Sequence, residues 1–179
     1  MKLRFMWFLP LICSLSGFEQ APPSREYQLK AVFLFNFMQF VEWPGTVLEE
    51  QNTPITLGVL GEDPFGDILE ETVSNELING HPVVIKRFAN VAEIDQCHLL
   101  FIAASEKERL PQTLDALKGR NTLTVGDLKD FAQSGGMIAF KMVQNKIKVQ
   151  INLDMAREAD LSISPKLLRL SQIVNTKRS

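Results

Sequence analysis

Residue types able to do chemistry are sparse in this chain, and none stands at a catalytic spacing. The two histidines, His81 and His98, have no cysteine or second histidine at metal-ligand separation. His81 follows Gly80 in a turn and is expected to be exposed, whereas His98 opens an apolar run. Ser134, followed by Gly135 and Gly136, lacks the first glycine of a nucleophile elbow. Glu70, Glu71 and Glu76 read as a solvated helical face. The segment GVLGEDPFG at 58–66 follows an apolar run and opens a helical one, a placement where α/β folds hold ligands. Leu60 and Asp63 stand where a dinucleotide fingerprint needs glycines, and Glu62 and Asp63 would repel a pyrophosphate. The segment therefore reads as a capping turn. No catalytic, cofactor-binding or metal-ligating residue is expected. Arg157, Lys166 and Arg169 gather basic charge near the C-terminus, as a solvated face or as a patch for an acidic partner or small anion.

Binding is the better-supported activity, and its carrier is the stretch 27–44, YQLKAVFLFNFMQFVEWP. Pro22, Pro23 and the N-cap candidate Ser24 precede it, Glu26 suits the positive end of the helix dipole, and Pro44 closes it. Helical spacing gives two adjacent apolar stripes: Tyr27, Ala31, Leu34, Met38 and Val41, then Leu29, Phe33, Phe37 and Phe40. Together they cover an arc roughly 200° wide, about twice what a surface helix needs. Such a helix lies deep between layers or buries its second stripe on another chain. The interface reading assigns Phe33, Phe37, Phe40 and Trp43 to a partner or dimer contact, with Phe37 the anchor whose truncation spares folding.

The other elements must position that helix. The chain has 179 residues, 45% hydrophobic and 22% charged, enough for one domain with a sizeable core. Lys2 and Arg4, an apolar run at 5–12 and small residues through Ala21 form a secretory signal, cleaved between about Ser16 and Pro22. Residues 1–21 are thus read as signal and 22–179 as the domain, placed in a periplasm. The formal net charge is −2, and losing Lys2 and Arg4 makes the mature chain more acidic, so nucleic acid is not an expected partner. Cys13 leaves with the signal. Cys97 then has no partner for an internal disulfide and reads as a small buried hydrophobe.

Apolar and β-branched runs predict strands at 55–60, 82–88, 98–103 and 121–125. Helices are expected from Asp63 to about Ile78, from a Ser105/Glu108 capping box to Lys118, and briefly at 91–96 and 128–132. Beyond Gly136 the runs 137–143 and 146–151 flank Gln144-Asn145, a hairpin signal. A short helix at 154–159 leads to a final one capped by Ser164 with Pro165 first, its Leu167, Leu168, Ser171 and Val174 facing inward. The alternation predicts one α/β domain: a mixed, mostly parallel sheet flanked by helices, with a C-terminal antiparallel hairpin.

Several stretches resemble the YfiR family of periplasmic regulators. They are KAVFLFNF from Lys30 with FVEWP from Phe40, the 58–66 turn and CHLLFI from Cys97. GGMIAF from Gly135, KIKVQINL from Lys146, AREA from Ala156 and ISPKLL from Ile163 complete the set. The resemblance implies a dimerising α/β domain without catalytic activity. It also implies repression of a membrane-anchored diguanylate cyclase through binding to its periplasmic region, with relief by an outer-membrane lipoprotein, so that cyclic-di-GMP signalling and biofilm formation respond to the envelope. Members can carry redox-active cysteine pairs, which Cys97 without a mature partner does not provide. The alternative function is a periplasmic small-ligand binding module, with strand-end turns forming its pocket.

Overall fold

The structure is a computed structural model that describes residues 25–47 and 53–176; the expected signal and the Ser24 cap lie outside them. The chain opens with α1 (Arg25–Phe40) and β1 (Val41–Glu42), then β2 (Ile55–Leu60), α2 (Ile68–Val73), β3 (Leu77–Ile78) and β4 (His81–Phe88). Next come β5 (Leu99–Ile102), α3 (Leu110–Ala116), β6 (Leu123–Gly126), β7 (Ile138–Val143) and β8 (Lys146–Asn152). The chain finishes with α4 (Leu153–Glu158), β9 (Ser162–Ile163), α5 (Pro165–Arg169) and β10 (Gln172–Val174). Eight strands form one sheet in the order β10-β8-β7-β6-β5-β2-β4-β3. β4, β2, β5, β6 and β7 run parallel, and β8 returns antiparallel to β7. The mixed, mostly parallel sheet with its closing hairpin is as the sequence predicts. Gln144 and Asn145 both take positive φ, 47° and 59°, the backbone that a two-residue hairpin turn requires.

Parallel strands buried on both faces must be covered twice. On one face Leu57, Val59, Leu99, Phe101, Val125 and Phe140 lie in one apolar cluster with Ala31, Leu34, Phe37 and Met38 of α1. On the other, Leu60, Leu100 and Ile102 cluster with Leu110 and Leu117 from α3 and its C-cap, and with Phe88, Cys97 and Phe131. Cys97 is buried as expected. Its thiol donates to the Leu99 carbonyl at 3.1 Å, and burial pushes its pKa up to about 12.

Several local expectations are corrected by competing partners. α1 stops at Phe40 rather than Pro44 because Val41 and Glu42 pair antiparallel with Ile163 and Ser162. The Ser164 amide also donates to the Phe40 carbonyl at 2.8 Å. The helix expected from Asp63 starts only at Ile68. Asp63 Oδ1 instead accepts from the Phe65 amide at 2.7 Å, an Asx-turn that holds the chain outside helix. Ser105 caps no helix; Ala104–Arg109 is a 3-10 segment, and Ser105 Oγ accepts from the Glu62 amide at 2.9 Å. The 128–132 stretch is a turn. The last helix has only five residues, so Val174 lies in β10, drawn beside β8.

The largest correction concerns Phe37. Its side chain is 0% exposed and stacks on Phe140 at 5.6 Å, so it cannot anchor a partner while this core is intact. The large apolar side chains of α1 left half-exposed are Leu29 and Val32, at 50% and 49%. Phe37→Ala should therefore cost about 3–5 kcal/mol of folding stability, lowering the melting temperature by on the order of 10 °C. Thermal unfolding of the purified variant checks this, and near-native melting would contradict the core assignment.

Candidate functional site

α1 carries a cation in the middle of its inner stripe. Lys30 is 2% exposed. Its ammonium lies 2.5 Å from Asp127, just beyond the end of β6, and 2.5 Å from Glu26 one turn earlier. It also sits over the Tyr27 ring, 4.3 Å from the centroid. Tyr27 donates its hydroxyl to Asp127 at 2.9 Å and meets the Phe65 ring edge-on. A buried charge persists only when paired and hydrogen-bonded, and these contacts meet that condition. They also fix the angle at which α1 crosses the strand ends. Sequence reasoning passed over Lys30, although at helical spacing it falls between Leu34 and Phe37, a charge on an otherwise apolar arc. Burial, then the adjacent Asp127, raises the Tyr27 pKa far above its ordinary value.

Beside this group, the chain leaves β2 for β4 on one side and for β5 on the other, so the strand order reverses between β2 and β5. α/β sheets hold ligands outside such a reversal. Here a cleft of about 430 Å³ is lined by Tyr27, Glu62, Asp63, Pro64, Ala104 and Ser105. Gly61 takes φ +90°, and a Cβ there would meet Ser105 Oγ at 2.4 Å, so the turn and the β5 exit interlock only with glycine. Arg87 clamps the same turn, donating to Asp63 at 2.7 Å, Glu70 at 2.5 Å and the Gly66 carbonyl at 2.8 Å. Its hydrogen bond holds the Glu70 carboxyl below the usual range. The capping reading of 58–66 thus becomes an arginine-tied turn. A larger, mostly apolar cavity of about 530 Å³ lies elsewhere, between Leu114, Leu117, Met137 and Met155.

The two expected interface sets meet in part. Pairing of β1 with β9 brings the end of α1 against the C-terminal segment, and α5 packs on α1. Phe40 and Trp43 are partly exposed there, Trp43 edge-on to His98 at 6.1 Å. Lys166 and Arg169 project from α5 one turn apart, both exposed. Phe33 is also partly exposed, its ring 5.9 Å from Phe140. Arg157 stands on a separate helix, α4, 3.5 Å from Asp154. His98 is buried rather than reactive: its Nδ1 accepts from the Thr56 amide at 2.9 Å, and burial lowers its pKa. His81 is partly buried, its Nδ1 2.9 Å from the Thr53 carbonyl. Among the described residues, no three His, Cys, Asp or Glu side chains group to hold a metal, and no helix is long and apolar enough to cross a membrane.

Taken in chain order, the five parallel strands stand 5-4-3-1-2 across the sheet, the flavodoxin-like order of a doubly wound α/β domain. A family model described as YfiR/HmsC-like matches residues 27–172, and the chain belongs to that family. No curated protein sequence matches the chain. Among solved structures it is similar to one described as the ABC domain in complex with L-Trp from Streptococcus pneumonia. That likeness has 13% identity and a TM-score of 0.54, covering 83% of this chain and 60% of that one. At such identity it establishes the fold alone.

Tyr27 is the only tyrosine, so its ionisation can be read without interference. Its folded pKa lies above the unfolded value of about 10, so its contribution to stability is full below pH 10 and is lost as pH rises above it. Phenolate absorbance of the native protein should therefore stay absent at pH 10.5 and appear on adding denaturant. Half-ionisation near pH 10 in the native state would contradict the Tyr27–Asp127 arrangement.

Proposed function

We propose that the chain is a periplasmic, non-enzymatic regulator that binds the periplasmic region of a membrane-anchored diguanylate cyclase and represses it. In this reading it controls cyclic-di-GMP signalling and biofilm formation, works as a homodimer, and is relieved by an outer-membrane lipoprotein. Family membership supports the regulatory class. The observation that carries the reading is the surface where α1 meets α5. Partly exposed Phe40 lies at the end of α1, where the Ser164 amide caps its carbonyl, Trp43 follows β1, and α5, packed on α1, carries the exposed cations Lys166 and Arg169. Aromatic anchors flanked by arginine are the composition that dominates protein–protein binding energy. Phe33 extends the surface along α1, and Arg157 contributes at its margin. Phe37 has no part in it.

A second reading, binding of a small ligand, is favoured by the cleft at the strand-order reversal. The similar solved structure is described in complex with L-Trp, and its chain shares this fold. Ligand binding would sit beside Tyr27 and can coexist with regulation.

The double variant Lys166→Glu/Arg169→Glu tests the main reading. Both residues are exposed, so stability should change by no more than about 0.5 kcal/mol. Affinity for the purified periplasmic region of a cyclase encoded alongside this chain should fall at least about tenfold, or ~1.4 kcal/mol. Titration calorimetry with unchanged affinity would remove α5 from the interface, and no binding by the wild type would remove the partner.

A further inference from the structure

The β7–β8 hairpin outruns the sheet on both sides. β6 lies beside β7 only at Ile138 and Ala139, and β10 lies beside β8 only from Gln150 to Asn152. Residues 140–143 and 146–149 therefore pair with each other and, among the described residues, with no further strand. A projecting ribbon leaves edge amides and carbonyls open to another chain, the liability that natural sheets manage explicitly.

The faces of this ribbon are unlike. Phe140, Met142, Ile147 and Val149 share one face, which Phe140 and Val149 tie to the core. Lys141, Val143, Lys146 and Lys148 share the other. Lys141 lies directly opposite Lys148, an arrangement that destabilises an antiparallel pair. Lys146 follows on the same face. No carboxylate of a described residue stands within ion-pair distance of any of the three, and 138–152 contains no acidic residue. In a chain of net negative charge, three lysines thus share one face of the ribbon with no ion pair among the described residues.

A cleft of about 350 Å³ lies beside this ribbon, where Lys141 and Met142 share a lining of mixed charge with Lys30, Lys129, Glu26, Asp127 and Asp130. We propose that the ribbon is a docking edge for an acidic, extended segment of a partner polypeptide, which adds as a strand and supplies the carboxylates its lysine face lacks. The free backbone calls for a polypeptide, because lipid headgroups cannot complete a ladder. The like charges disfavour a second copy of the same ribbon, so the occupant is a different, acidic sequence. This edge adjoins the proposed surface where Phe33 packs on Phe140, but its open backbone ladder does not depend on that surface.

The probe is an N-terminally fluorescein-labelled peptide of alternating Glu and Val, eight residues long, with an equally labelled Lys-Val peptide as its charge-reversed control. The wild-type protein should bind the Glu-Val peptide by fluorescence anisotropy at low salt, lose affinity as salt is raised, and ignore the control. Lys148→Glu should weaken peptide binding at least tenfold while raising the melting temperature, because it puts a carboxylate opposite Lys141. A lysine with a merely structural role would not show that opposition of stability and binding. Three results would overturn the proposal: Glu-Val affinity unchanged by Lys148→Glu, no peptide binding while vesicles of anionic phospholipid are bound through the same lysines, or no peptide binding while Lys148→Glu self-associates. The last would mean that the lysines serve only to keep the edge from pairing.

Discussion

A parallel sheet cannot leave either face to water, and on one face here the sixteen-residue α1 lies in the covering layer with Leu69 of α2, Ala156 of α4 and Leu167 of α5. That constraint divides α1. Ala31, Leu34, Phe37 and Met38 vanish into the cluster beneath it, while Leu29 and Val32 remain half-exposed. Lys30 turns this packing into a defined orientation, because its buried ammonium, paired to Glu26 within the helix, also meets Asp127 beyond the end of β6. Tyr27 shares the same carboxylate, so the first turn of α1 is fixed to the end of β6. The far end is fixed by other means: β1 pairs with β9, and Ser164 donates to Phe40. Both ends are tied before any partner is considered.

The proposed function draws on what this covering leaves outside. The segment from β9 to β10 returns to the end of α1, where β9 pairs with β1 and α5 packs on α1. One helix thus supplies buried core area and the half-exposed aromatic residues of the proposed surface. The strand-order reversal between β2 and β5 lies next to the tied first turn. Tyr27 contributes both to the Lys30 group and to the cleft wall, which gives a ligand there a direct contact with the element that carries the partner surface.

Strand positions and the mixed sheet were legible because apolar β-branched runs bounded by turn residues admit few alternatives, and the hairpin at Gln144-Asn145 declared itself. Helix boundaries were not, because side chains read as caps had better partners far away in sequence. Ser105 bonds to Glu62 and Asp63 to Arg87, links that exist only once the parallel strands stand side by side. Of the two stripes on 27–44, Ala31, Leu34, Met38 and Val41 are buried while Leu29, Phe33 and Phe40 keep exposure; Phe37 alone departs from its stripe, because Phe140 across the sheet selects it for the core. The charge on that arc, Lys30, was the available signal for the buried side.

Recognition is proposed to reside where the end of α1 meets the C-terminal segment. Hydrogen–deuterium exchange of the chain, alone and saturated with the periplasmic region of the proposed cyclase partner, tests this. Binding is predicted to slow exchange in peptides covering Val41–Glu42 and Pro165–Arg169, with the opposite sheet edge, Leu77–Ile78 and His81–Phe88, unchanged. Slowed exchange along β3 and β4 with none at the end of α1 would contradict it.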